Sequence, residues 1–132
     1  MGAMRLLMID DDADMVSSVR TVMEGAGWEV HEAANGAEGL ERARELRPEL
    51  IILDILMPRK DGLTTYEELR ADDSLRGIPV IVFTSVSEKL GFNFSASDMA
   101  AHYGHQPEAF LQKPFEPQSL LAAVRKVVRA AR

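Results

Sequence analysis

Apolar residues recur along this chain with two different periods, and the changes of period mark out its elements. Arg5 to Ile9 (RLLMI), Leu50 to Leu53 (LIIL) and Ile78 to Phe83 (IPVIVF) are short, nearly continuous apolar runs, each halted by an acidic or hydroxyl residue. Runs of this length, closed by turn chemistry, predict strands buried on both faces of a parallel sheet. Trp28 to Glu32 (WEVHE) alternates apolar and polar instead, which predicts a half-exposed strand at a sheet edge. Ala109-Phe110-Leu111 is a brief fifth run, ending at Lys113-Pro114-Phe115.

Between these runs the period is helical. Met15, Val16, Val19, Val22, Met23 and Ala26 form one face, with Asp12 or Asp14 suited to cap its start and Gly25 and Gly27 to end it. Asn35-Gly36 turns into a second helix with Ala37, Leu40, Ala43 and Leu46 inward, closed by Pro48. A third helix after Gly62 directs Leu63, Tyr66 and Leu69 inward and fades at Asp72-Asp73-Ser74. The last starts near Pro117, a favourable first-turn residue, and carries Leu120, Leu121, Val124, Val127 and Val128 as its stripe. Strands alternating with helices predict an α/β fold, a parallel sheet covered on both faces. Right-handed crossovers limit how it winds. With runs one, three and four central and runs two and five at the edges, the expected architecture is a doubly wound five-stranded sheet of order 2-1-3-4-5.

Composition narrows the function classes. The 132 residues suit one domain, expected over residues 4–131, with Met1-Gly2-Ala3 set aside as a cloning remnant. There is no cysteine, hence no disulfide and no thiolate metal site. No apolar run reaches the length of a membrane span. A net charge of −6 disfavours direct nucleic-acid binding, and the basic group Arg125, Lys126, Arg129 and Arg132 reads as a solvated helix end.

The candidate chemistry lies where the strands end. In the expected topology Asp10 and Asp11, Asp54, Thr84 and Lys113 all finish strands at one carboxyl edge, the crevice where open α/β sheets take ligands. Each residue alone has an ordinary reading: a capped turn, a strand-end hydroxyl, a surface lysine. Five of them at one edge point to a site. Carboxylates held together repel and call for a counterion, and Mg²⁺ suits an oxygen-only donor set. A carboxylate beside such a cation and a lysine can attack phosphorus and become an aspartyl phosphate.

These motifs resemble the receiver domain of two-component response regulators, a CheY-like, flavodoxin-like fold. The matching residues are Asp10-Asp11, Asp54 with Met57 to Gly62 (MPRKDG) after it, Thr84-Ser85, and Lys113-Pro114-Phe115, so the resemblance covers essentially residues 4–131. It implies that Asp54 accepts a phosphoryl group from a sensor histidine kinase or phosphotransfer protein. It further implies Mg²⁺ on Asp11, Asp54 and the main-chain carbonyl of Leu56, with Asp10 acting through water. Lys113 would pair with the phosphoryl group, Thr84 and Phe110 would act as the switch pair, and the Lys113–Pro114 bond would be cis. A cytoplasmic setting and a downstream effector or separate output domain follow from the same resemblance. The first-helix face around Met15, Ser18, Val19 and Val22 would dock the kinase.

The chain leaves the family pattern between Val86 and Pro107. This connection is longer than usual, and its helix-like piece is Ser97 to Tyr103. The family's fourth helix is expected to be shortened, shifted or mobile, with Phe92 or Phe94 plugging the apolar surface it would cover. His102 and His105 lie three apart but have no third ligand nearby in sequence, so they read as exposed histidines. Two other functions compete. A phosphatase of the haloacid-dehalogenase type needs a second acid two residues after the nucleophile, where this chain has Leu56. A phosphate-independent interaction module would keep the fold without needing every member of the acidic site. No turnover enzyme is expected, only self-phosphorylation from a phosphodonor and slow self-dephosphorylation.

Overall fold

Strict alternation along the buried strands sends neighbouring residues to opposite faces of the sheet. In the computed structural model, Leu7 and Ile9 join a core cluster with Leu40, Ala43, Tyr66 and Leu69. Leu6 and Met8 join a second cluster with Val16, Val19, Leu120 and Val124. Each fully buried aliphatic side chain contributes on the order of 2 kcal/mol, so both sheet faces need a helical cover. The structure describes residues 4–54, 62–85, 109–113 and 116–130, and gives the backbone alone for Gly62, Leu63, Thr84, Ser85, Phe110, Gln112, Lys113 and Ala130.

The strands are β1 (Arg5–Ile9), β2 (Glu29–Ala33), β3 (Leu50–Asp54), β4 (Val80–Ser85) and β5 (Ala109–Lys113). They form a parallel sheet in the order β2-β1-β3-β4-β5, as the apolar pattern predicts. The helices described are α1 (Ala13–Gly25), α2 (Gly36–Leu46), α3 (Gly62–Ala71) and a C-terminal helix (Pro117–Ala130). α1 and the C-terminal helix supply the second cluster, while α2 and α3 supply the first.

Local chemistry sets the ends. Asp12, not Asp14, caps α1: its Oδ1 accepts from the amides of Asp14 at 3.0 Å and Met15 at 3.2 Å. Asn35 caps α2 by accepting from the amide of Glu38 at 2.9 Å, and Glu38 reaches back to the amide of Ala34 at 3.3 Å. Arg47 takes a left-handed conformation, φ 49°, and ends α2 just before Pro48.

Several boundaries differ from the sequence reading. β2 begins at Glu29, because the amide of Trp28 donates to the carbonyl of Met23 at 3.0 Å and closes the end of α1. Ala26 is the exposed residue that caps α1, not part of its inward face. Ala37 is exposed, and Gly36 and Gly39 are buried beside Leu40 and Ala43 instead. β4 starts two residues late, since the amide of Ile78 is engaged in a turn with the carbonyl of Leu75 at 3.0 Å. It then runs through Thr84 and Ser85, which pair with Gln112 and Lys113. The expectations for 86–107, including Phe92, Phe94, His102 and His105, lie outside the described residues, as does the Lys113–Pro114 bond.

Entry into β4 is held by a buried cation. Arg70 is 8% exposed, and its Nη1 donates to the carbonyls of Arg76 at 2.8 Å and Ile78 at 3.0 Å. Its Nε donates to the Tyr66 hydroxyl at 3.2 Å, with the guanidinium 5.1 Å from that ring's centroid.

Candidate functional site

Ile9 pairs with Leu53, so the residues that follow them, Asp10 and Asp54, leave adjacent strands at the same level. Asp10 is 2% exposed and Asp54 5%, whereas Asp11 projects into solvent. One carboxylate oxygen from each of Asp10, Asp11 and Asp54 can be chosen so that all three lie within 4.8 Å of one another. The turn that presents them is tied down by backbone bonds. The amide of Asp10 donates to the carbonyl of Ala33 at 3.0 Å, and the amide of Asp12 donates to Asp10 Oδ1 at 2.9 Å.

That donor set fits a hard divalent cation. Among the described residues it holds three carboxylates, and Mg²⁺ uses one or two carboxylates completed by water and phosphate oxygens. Oxygens around Mg²⁺ at ~2.1 Å stand roughly 3 Å apart along an octahedral edge, and the three carboxylates offer oxygens within 4.8 Å of one another. Two buried like charges without a cation are costly in a low-dielectric setting.

Thr84 and Lys113 reach the same edge through their strands. Asp54 pairs with Phe83, so Thr84 follows one residue beyond it on β4. Phe110 pairs with Val82, and Lys113 pairs with Ser85 as the last residue of β5. Leu56 lies outside the described residues. The structure therefore brings Asp10, Asp11 and Asp54 together by side chain and Thr84 and Lys113 to the edge by backbone, while Phe110 sits one level inside it, in line with Leu53 and Val82.

Beside the acidic turn, between α1 and β2, opens a cleft of about 440 Å³ lined in part by Asp10, Asp11, Ser17, Arg20, Glu32 and Glu38. Arg20 forms its outer wall, donating to Glu32 at 2.6 Å, Glu24 at 3.1 Å and the carbonyl of Val30 at 3.1 Å. The hydrogen bond to Glu32 holds the Arg20 guanidinium above its usual pKa, against the opposing effect of burial and with support from Glu24. Sequence reading missed this wall, because its partners come from different elements. It also missed Gly39, whose close approach to Ile9 is signalled in sequence only by a glycine in the interior of a helix.

The family model described as "Response regulator receiver domain" matches residues 6–125. The chain is a response regulator receiver domain. Such domains are signalling phosphoacceptors rather than catalytic enzymes, and the family works with histidine kinases. This receiver is 36% identical over 129 residues to the DNA-binding dual master transcriptional regulator RpaA of Synechocystis sp., covering 95% of this chain and 49% of that protein. The receiver thus spans about half the length of the curated relatives it matches. Among solved structures, a response regulator from Chloroflexus aurantiacus is 31% identical with a TM-score of 0.83, covering 96% of this chain and 98% of that one. The chemotaxis protein CheY4 of Vibrio cholerae is 26% identical with a TM-score of 0.80, covering 96% and 99%. No described helix of the receiver is long and apolar enough to cross a membrane.

Proposed function

We propose that Asp54 is the phosphoacceptor of a two-component phosphorelay and that residues 4–131 act as one receiver unit. The observation that carries this reading is the convergence of Asp10, Asp11 and Asp54 within 4.8 Å at the carboxyl edge of a parallel sheet. Asp11 and Asp54 would hold Mg²⁺ with the main-chain carbonyl of Leu56, and Asp10 would act through water. Bound Mg²⁺ supplies neutralisation of charge on the phosphoryl oxygens.

The chain's own groups do the rest. A carboxylate oxygen of Asp54 attacks the phosphorus of a phosphohistidine. The O–P bond forms as the P–N bond breaks, and the electron pair returns to the imidazole, which takes up a proton. Lys113 then pairs with the phosphoryl group on Asp54. Thr84 hydrogen-bonds one phosphoryl oxygen, and Phe110 responds as its switch partner, so that added charge biases the domain between two conformations.

The phosphodonor is a sensor histidine kinase or a phosphotransfer protein, in the cytoplasm. RpaA is described as a DNA-binding regulator, and this supports control of a DNA-binding output that is carried outside the receiver fold. The test is incubation with acetyl phosphate and Mg²⁺ followed by intact-mass measurement. One added phosphoryl group is expected in the wild-type chain and none in Asp54→Asn. Equal labelling of the two would move the acceptor elsewhere, and no labelling of either would favour a phosphate-independent module.

A further inference from the structure

Asp10 and Asp11 follow directly on Ile9, so whatever fixes Ile9 fixes the start of the acidic turn. Ile9 is fully buried and its side chain lies against α2 at Gly39. A Cβ on Gly39 would stand 2.6 Å from Ile9 Cδ1, 2.9 Å from Cγ1 and 3.1 Å from Cγ2. The terminal methyl can swing aside. Cγ1 and Cγ2 branch from one carbon and both face the helix, so every staggered rotamer leaves at least one carbon there. A side chain at position 39 therefore has to displace the helix or the strand end.

Both displacements reach the acidic turn. The strand end carries Asp10 as its next residue. The helix begins at the Asn35 cap, where the Gly39 amide donates to the Asn35 carbonyl at 2.9 Å. Two residues earlier, the carbonyl of Ala33 accepts from the amide of Asp10 at 3.0 Å. Gly39 keeps a helical backbone, so left-handed freedom is not why glycine sits here. In a helix interior glycine is less favourable than alanine, and the close approach to Ile9 is what that cost accompanies.

We propose that Gly39 is a positioning residue for the phosphoacceptor site: its missing side chain seats α2 on Ile9 and so holds Asp10 and Asp11 within reach of Asp54. The assignment rests on the reading of these three carboxylates as the cation site. The test compares wild type with Gly39→Ala, Ile9→Ala and the double variant Gly39→Ala/Ile9→Ala. Mg²⁺ is titrated by calorimetry, the backbone amide signals of Asp10, Asp11 and Asp12 are followed by NMR, and thermal unfolding is measured alongside.

Gly39→Ala is expected to weaken Mg²⁺ binding on the order of tenfold, as loss of support for metal ligands does, and to move the three amide signals in metal-free protein. The double variant is expected to bind Mg²⁺ as Ile9→Ala does, because the clash is gone. A lower melting temperature in Gly39→Ala with unchanged affinity and unmoved signals would overturn the proposal. Should Gly39→Ala not fold, Gly39→Ala/Ile9→Val removes the terminal methyl and keeps both branch carbons in contact, and an Mg²⁺ affinity and amide signals there equal to those of Ile9→Val overturn the proposal equally. If wild type itself takes no Mg²⁺, the cation reading fails, and the metal-free signals decide. Signals moved in Gly39→Ala, and matching those of Ile9→Ala in the double variant, uphold the positioning role; unmoved signals end it.

Discussion

The amide of Asp12 donates to Oδ1 of Asp10 at 2.9 Å, while the carboxylate of Asp12 turns away and caps α1. Three adjacent aspartates thus divide their tasks: Asp10 is buried and fixed by backbone, Asp11 faces out with its carboxylate near Asp54, and Asp12 holds the helix. Asp12→Ala is therefore expected to cost about 1 kcal/mol of stability through the lost cap and to leave Mg²⁺ affinity nearly intact. Asp11→Asn should do the reverse, abolishing the Mg²⁺-dependent rise in melting temperature while the metal-free fold stays as stable or gains slightly. Thermal unfolding with Mg²⁺ and with EDTA separates the two. Equal loss of Mg²⁺ binding in both variants would contradict the division.

Arg70 offers a second test, this time of the frame. Its guanidinium serves the carbonyls of Arg76 and Ile78 on the way into β4, the strand that ends at Thr84 and Ser85. Arg70→Met keeps the aliphatic stem but withdraws a charged donor from buried acceptors, at an expected cost of about 2 kcal/mol. Tyr66→Phe, which removes the hydroxyl that accepts from Arg70 and keeps the ring, should cost about half as much. Urea unfolding gives both values, and a larger loss from the tyrosine change would reverse the ranking of cation and ring.

Asp72 links stability to pH. Its Oδ1 accepts from the Ser74 hydroxyl at 2.7 Å and the Ser74 amide at 2.8 Å, and its Oδ2 from Arg44 at 3.1 Å. These bonds, the Ser74 hydroxyl first, hold its carboxyl below the usual aspartate range. A lowered folded pKa means that the stabilisation is complete above the unfolded value and is lost as pH falls through the folded one. Asp72→Asn should accordingly be less stable than wild type at neutral pH, with the gap closing below about pH 4. Melting curves across that window check the sign, and a gap that widens on acidification would refute it.

Trp28 is the single tryptophan and sits just before β2, whose first residue Glu29 pairs with Arg5 at the amino end of the sheet. The acidic turn lies past Ile9 at the other end, some six strand residues or roughly 20 Å away at ~3.3 Å per residue. Direct quenching by an ion at Asp54 is not expected over that span. Trp28 emission should report global unfolding and stay constant through a Mg²⁺ titration that shifts the amide signals of Asp10 to Asp12.

Much of this architecture could be read in the sequence because central parallel strands must be apolar on both faces. Leu50 to Leu53 announces such a strand and Asp54 its end, and the edge character of β2 shows in the alternation of Glu29, Val30 and His31. The misplacements have a common source, since apolar content does not distinguish a strand from a buried turn. Ile78 is apolar yet bonded in a turn, and Thr84 is polar yet paired with Gln112. Gly39 escaped for the opposite reason: periodicity counts side chains, and the feature that matters there is the lack of one. Among the neighbouring carboxylates, position after the strand points to Asp10 and Asp11 for the site and leaves Asp12 or Asp14 for the cap, and the hydrogen bonds give the cap to Asp12.

The Arg20 wall has a second consequence. β2 is an outer strand of the sheet, and such a strand exposes backbone groups that another chain can pair with. By bonding the carbonyl of Val30 and the side chain of Glu32, Arg20 occupies an acceptor on that rim and keeps charge beside it. A guanidinium that encloses a cleft within one molecule thereby also discourages two molecules from joining their sheets edge to edge.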